Sequence, residues 1–233
     1  MRYSETARLL VAELDLRFPP AALAFVDEPP PGIPRTDTVE PSSCAFWRRA
    51  EEKVFYAAAE DHFNCPLGTM VMGLPLPEAQ MAQLQDAVGM MCGLSYVREE
   101  EVEHVPKVDR ASTGIVYGPL EQFPMEPAAV LLWLTPKQAM VMSECFGLMN
   151  WAAGPAGILG RPGCGAIPIA LSGGRPAQSY GCTGMRINTG LPEELLLMVL
   201  PGSVLGGVSA ELDRIREVHR QMEAHYHERI ASL

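Results

Sequence analysis

The chain has 233 residues with 18 Lys and Arg against 28 Asp and Glu, a formal charge of -10, so its electrostatics give no reason to expect a nucleic-acid partner. Hydrophobic residues make up 48% and charged residues 20%, the balance of a chain with a sizeable core, and no apolar run approaches the roughly 20 residues a membrane span needs. The N-terminal MRYSETARLLVAELDLRF carries charges through its apolar positions, unlike a secretory signal, so the expected compartment is the cytoplasm. In that reducing setting the six cysteines are expected to be free thiols, metal ligands or redox groups rather than structural disulfides.

Within residues 4–16, Ala7, Leu10 and Leu14 share one helical face, the spacing of an amphipathic helix. AALAFV at 21–26 reads as a short buried strand, set off by Pro19-Pro20 before it and a proline-rich turn after it. Ser42 or Ser43 can cap a helix through CAFWRRAEE, which puts Cys44 in or beside a first turn whose free N–H groups favour a thiolate. KVFYAAA then predicts a second strand. Between Pro77 and Met91, the residues Met81, Leu84, Val88 and Met91 recur at helical spacing, and the polar REEEVEH follows as an exposed stretch.

GIVYGPL (114–120) and AAVLLWL (128–134) predict two further strands, the second followed by a helix from Pro136 toward Trp151. The loop AAGPAGILGRPGCG delivers Cys164, ELLLMVLP predicts another strand, and 203–230 reads as a closing charged helix whose His219, His225 and His227 face solvent. Strands and helices are interspersed without a clean alternating unit. The expectation is a mixed α/β (α+β) architecture with some antiparallel pairing, forming one domain over 1–233.

Two segments, NCPLGTMVMGLP (64–75) and GCTGMRINTGLP (181–192), align without a gap and bring Cys65 onto Cys182 and Gly73-Leu74-Pro75 onto Gly190-Leu191-Pro192. PPAALAF resembles EPAAVLL, and each half has a further cysteine upstream, Cys44 and Cys164. This predicts an internal repeat with halves near 1–105 and 106–233 related by a pseudo-two-fold axis, close to which Cys44, Cys65, Cys164 and Cys182 converge. Four soft thiolates select iron-sulfur clusters, zinc or copper(I) over hard cations; the plainer alternative is four small buried side chains at tight turns. The local Cys pairs usual in structural zinc are absent, which puts an iron-sulfur cluster, expected to be [4Fe-4S], ahead of zinc. Full thiolate ligation leaves no open iron, so the expected role is redox or electron transfer, with an oxidoreductase activity left open.

PPAALAF, CAFWRRA, EDHFNCPLG continuing to MGLP, GPLE, TPKQAM and SYGCTGMR together resemble the uncharacterised ArCR-type proteins, known as domain of unknown function 169, over nearly the whole chain. The resemblance implies Cys44, Cys65, Cys164 and Cys182 as the family pattern, with Cys92 and Cys145 as extras. It also implies an anaerobic setting, which suits an oxygen-sensitive centre. It supplies no substrate.

Around the cysteines, His62 is a candidate for ligation, for a hydrogen bond to the cluster or for proton donation, or else a polar turn residue. Arg186 is a candidate for an anionic substrate or for offsetting cluster charge, or else a surface ion pair. Trp47, Phe46, Tyr56 and Tyr180 are candidates to wall a planar cofactor, against ordinary packing. The rival to a cluster is therefore a small-molecule or tetrapyrrole (haem) module in a pocket of Trp47, Tyr56 and Tyr180, with structural zinc as a third reading. The glycine-rich stretches fail the Walker and dinucleotide patterns. Partners are expected to be a redox protein or a small substrate, with no nucleic acid or membrane, and a homo-oligomer is compatible.

Overall fold

The structure is a computed structural model that describes residues 3–147 and 158–233. Its centre is a mixed sheet of seven strands among the described residues: β1 (Ala21–Val26), β2 (Phe55–Ala58), β3 (Gly114–Pro119), β4 (Ala129–Leu134), β5 (Ile158–Leu159), β6 (Ala177–Ser179) and β7 (Leu196–Pro201). The order is β2-β3-β1-β4-β7-β6-β5, antiparallel throughout except for the β5–β6 pair. Ala22 of β1 pairs with Gly118 of β3 on one side and Val130 of β4 on the other, which fixes the register at the middle of the sheet.

AALAFV and AVLLWL are apolar at every position because both faces of the central strands are covered. On one face lie α1 (Ser4–Leu14), α6 (Pro136–Cys145) and α9 (Leu205–Ala231), packed on Ala22, Ala24, Val130 and Leu132. On the other face Leu23, Phe25, Leu131 and Trp133 meet α2 (Ala45–Arg49), α7 (Ala166–Gly173) and Met185 of α8 (Thr183–Thr189). At roughly 1.5–3 kcal/mol for each fully buried large apolar side chain, these two layers hold most of the stabilisation. Cys145 belongs to the first layer and Cys44, Cys164 and Cys182 to the second, so the sheet separates them.

The connection from β2 to β3 carries α3 (Pro66–Val71), α4 (Glu78–Gly93) and α5 (Glu99–Val102). The expected stripe of α4 is present, but only Leu84 of it is buried and Met81 is 38% exposed, because α4 stands off the sheet. The helix after Thr135 is capped by that residue's hydroxyl, which accepts from the Gln138 N–H at 3.3 Å, and it ends at Cys145; Trp151 lies outside the described residues. Periodicity missed α3, α7, α8 and β6. Each is short, and AIPIALSG of α7 is apolar nearly all round, so no stripe marks it.

Outward from the central β1–β4 pair come β3 then β2 on one side, and β7 then β6 on the other. A division at 105/106 separates β3 from β1 and β2, the two strands between which it lies.

Candidate functional site

Each of four cysteines stands at the start of a short helical segment. Cys44 precedes α2, Cys65 precedes α3 with Pro66 at its first position, and Cys182 precedes α8. Cys164 sits in the 3-10 turn 163–165 that opens α7. The Cys182 Sγ accepts from the Met185 N–H at 3.4 Å, the cap that a serine would supply in an ordinary helix. The free N–H groups of such first turns carry partial positive charge, an environment that suits thiolate sulfur.

Tertiary packing brings these turns together crosswise: α2 rests on α8, and α3 rests on the 163–165 turn. Gly68 makes one approach possible. A methyl there would lie 2.7 Å from Ser43 Oγ and 3.0 Å from Cys65 Sγ. Gly163 makes another, since a methyl there would lie 3.1 Å from Gly181 Cα and 3.2 Å from the Cys182 nitrogen. All four cysteines, with Cys92, line one cavity of about 1460 Å³.

The sulfurs are close enough to act on one another electrostatically. Burial pushes the Cys44 thiol up to about 12, against the Ser42 hydroxyl at 3.0 Å, with Cys65 and Cys182 adding to the rise. Burial raises Cys164 well above the usual thiol range, and Cys65, Cys44 and Cys182 raise it further. Two of the thiols therefore keep their protons in the metal-free chain unless a cation replaces them.

Among the described residues no group of three or more His, Cys, Asp or Glu side chains is drawn in closely enough to hold a single metal ion. A tetrahedral zinc with Zn–S bonds of about 2.3 Å needs sulfurs roughly 3.8 Å apart. A cluster interposes several iron and sulfide atoms and spreads its thiolates more widely.

The other expected site residues fall elsewhere. His62 is 1% exposed, held by the Ala58 carbonyl at 2.8 Å on Nδ1 and the Tyr117 hydroxyl at 3.1 Å on Nε2. It packs on Phe46 and does not line the cavity. Burial lowers its pKa to about 4, so the ring is neutral. Asp61 and Glu60 bind Arg35, at 2.8 and 2.7 Å. Arg186 spends its guanidinium on three backbone carbonyls, Tyr180 at 2.9 Å, Leu195 at 3.0 Å and Pro192 at 3.4 Å, a clamp from α8 to the segment entering β7.

Trp47 is fully buried against Trp133, with ring centroids 6.2 Å apart, and Tyr56 belongs to the core on the opposite face of the sheet. Tyr180 is 55% exposed. None of these three lines the cavity, so the pocket expected from Trp47, Tyr56 and Tyr180 does not form. His219 pairs with Glu144 of α6 rather than facing solvent freely.

The far wall of the cavity escaped the sequence reading. It is built by α3, α4, α5 and the segment 94–98, including Met70, Met81, Val88, Met91 and Tyr96. The only advance signal was the α4 stripe, which gave no hint that it would face a cavity.

A model of the family known as domain of unknown function 169, the uncharacterised ArCR proteins, matches residues 9–210, which include every strand among the described residues and all four cysteines of the site. The chain belongs to the ArCR family. No curated protein and no solved structure gives a significant match. Within this ArCR chain, the unmatched C-terminal residues 211–233 begin within α9, on the face of the sheet opposite Cys44, Cys164 and Cys182.

Proposed function

We propose that this protein binds an iron-sulfur cluster, of the [4Fe-4S] type, through Cys44, Cys65, Cys164 and Cys182, and serves in redox or electron transfer. The observation that carries the reading is the meeting of four cysteines, from segments up to 138 positions apart, on the wall of one cavity. The donor set fits in kind: four thiol sulfurs, each at or beside the start of a helical segment. The lack of local Cys pairs favours a cluster over structural zinc, and the scattering of Trp47, Tyr56 and Tyr180 removes the wall that favoured haem.

Such a cluster, when bound, supplies one-electron transfer. The chain's part is to hold and shield it. Cys44 and Cys164 lie against the sheet side, where Phe46 and Tyr117 exclude water. Ser42 already bonds Cys44 Sγ, and the buried Ser43 hydroxyl, which has no partner, stands beside Cys65 near the same sulfurs.

The reading includes an origin by duplication. The order β3, β2 on one side of the β1–β4 pair and β7, β6 on the other supports it, as does the crosswise packing of α2 on α8 and α3 on the 163–165 turn. The boundary then falls between β3 and β4 rather than at 105/106.

The test is anaerobic purification from iron-supplied cells, followed by iron, zinc and acid-labile sulfide analysis. About four irons and four sulfides per chain are expected, with both lost in Cys65→Ser and Cys182→Ser. Stoichiometric iron in both variants, or a folded wild-type chain free of iron and sulfide, would sink the assignment.

A further inference from the structure

The cavity is much larger than four thiolates and one cluster require. Its volume of about 1460 Å³ exceeds the roughly 300–1,000 Å³ typical of a pocket that encloses a drug-sized molecule. One wall is the cysteine turns. The other is the apolar face of α4, where Met81, Val88 and Met91 are only partly covered by protein although their spacing is that of a core-facing stripe.

The space is roofed rather than open along its whole length. The Tyr96 hydroxyl reaches Thr183 Oγ1 at 3.4 Å, linking the segment after α4 to the start of α8 beside Cys182. Arg161 lies over the Tyr96 ring at 4.5 Å and pairs with Glu101 at 3.9 Å. Arg98 is spent on Glu100 and Glu101, both at 3.4 Å. The lining carries three basic and three acidic side chains, Arg98, Lys107 and Arg161 against Glu99, Glu101 and Glu103, so its charges balance, and Lys107, Glu99 and Glu103 are exposed to solvent. No charge points to an ionic guest. Methionine side chains adapt their shape and make favourable sulfur contacts with aromatic rings, and Met70, Met81 and Met91 line this space.

The geometry points to a second binding site in this cavity, between α4 and the cysteine turns, for an uncharged, ring-bearing apolar molecule. It goes beyond the cluster reading and does not rest on it, because the α4 wall and its rim are formed by residues other than Cys44, Cys65, Cys164 and Cys182. Under that reading the guest would sit directly beside the metal centre, where a substrate or electron acceptor belongs.

The test uses the whole chain and the neutral aromatic fluorophore N-phenyl-1-naphthylamine, with iron and sulfide measured on the same samples. One saturable site per chain is expected. Val88→Glu and Met91→Glu place a charge on a partly exposed helix face, where it can be tolerated by the fold, and each should weaken binding by about tenfold or more. Val218→Glu, on exposed α9 beyond the opposite face of the sheet, should leave binding unchanged. Absence of saturable binding, or unaltered affinity in both α4 variants, overturns the proposal. Saturable binding lost in both α4 variants but found in an iron-free chain would leave this site standing while the cluster assignment fell.

Discussion

His62 sits between a backbone carbonyl and the Tyr117 hydroxyl, with its neighbours Asp61 and Glu60 turned to Arg35. Its folded pKa of about 4 lies below the ordinary 6.5, with burial as the leading cause. In the window between those values the unfolded chain binds a proton that the folded chain does not. Its contribution is therefore complete above pH 6.5 and is lost as pH falls toward 4, by about 3 kcal/mol in total. Urea unfolding at pH 7, 5.5 and 4 should show this decline in the wild type and a clearly smaller one in His62→Gln. Equal slopes would mean the ring titrates normally. Neighbourhood in sequence marked His62, Trp47 and Tyr180 as one group, yet it could not orient them. Ala177, Gln178 and Ser179 of β6 are all buried while Tyr180, just past the end of the strand, is exposed, and Trp47 turns onto Trp133 across the sheet face.

The repeated Gly-Leu-Pro illustrates what a motif says about an element. Gly73 and Gly190 both have left-handed backbone, with φ of 70° and 60°, where α3 and α8 end, and the following leucines are both buried. Their surroundings differ. A methyl on Gly73 would lie 2.6 Å from the Arg110 carbonyl oxygen and 2.9 Å from that of Val108, whereas one on Gly190 meets nothing within 4 Å. Gly190→Ala is expected to cost only the left-handed penalty, about 1–2 kcal/mol. Gly73→Ala must also displace backbone and should cost about 3 kcal/mol or more. Chemical denaturation of the two variants tests the order, and equal costs would refute the packing difference. The α4 stripe is the complementary case: periodicity identified the helix and its apolar face, while the cavity it faces is a matter of how α4 stands relative to α3 and the cysteine turns.

At the scale of the molecule, one sheet runs through both parts of the chain, and its central β1–β4 pairing is short, spanning Ala21–Leu23 and Ala129–Leu131. A fragment of residues 1–105 lacks β3, which pairs with both β1 and β2. Those two apolar strands then have no partner between them, and an unpaired apolar edge favours aggregation over folding. The fragment should show no cooperative urea transition by circular dichroism, in contrast to the full chain. A sharp transition for 1–105 would mean that the first part folds without the strand the sheet places between β1 and β2.

The sequence by itself determined the major strands, the amphipathic helices and the two cysteine-glycine segments, because these depend on side-chain patterning within a few turns of the backbone. It also identified the four cysteines worth watching. Only the tertiary structure decided that they line one cavity, that Arg186 is a backbone clamp, and that Cys145 lies across the sheet. Those outcomes follow from strand order, from register, and from close approaches such as those at Gly68 and Gly163. They join residues more than a hundred positions apart, a separation over which local periodicity carries no information.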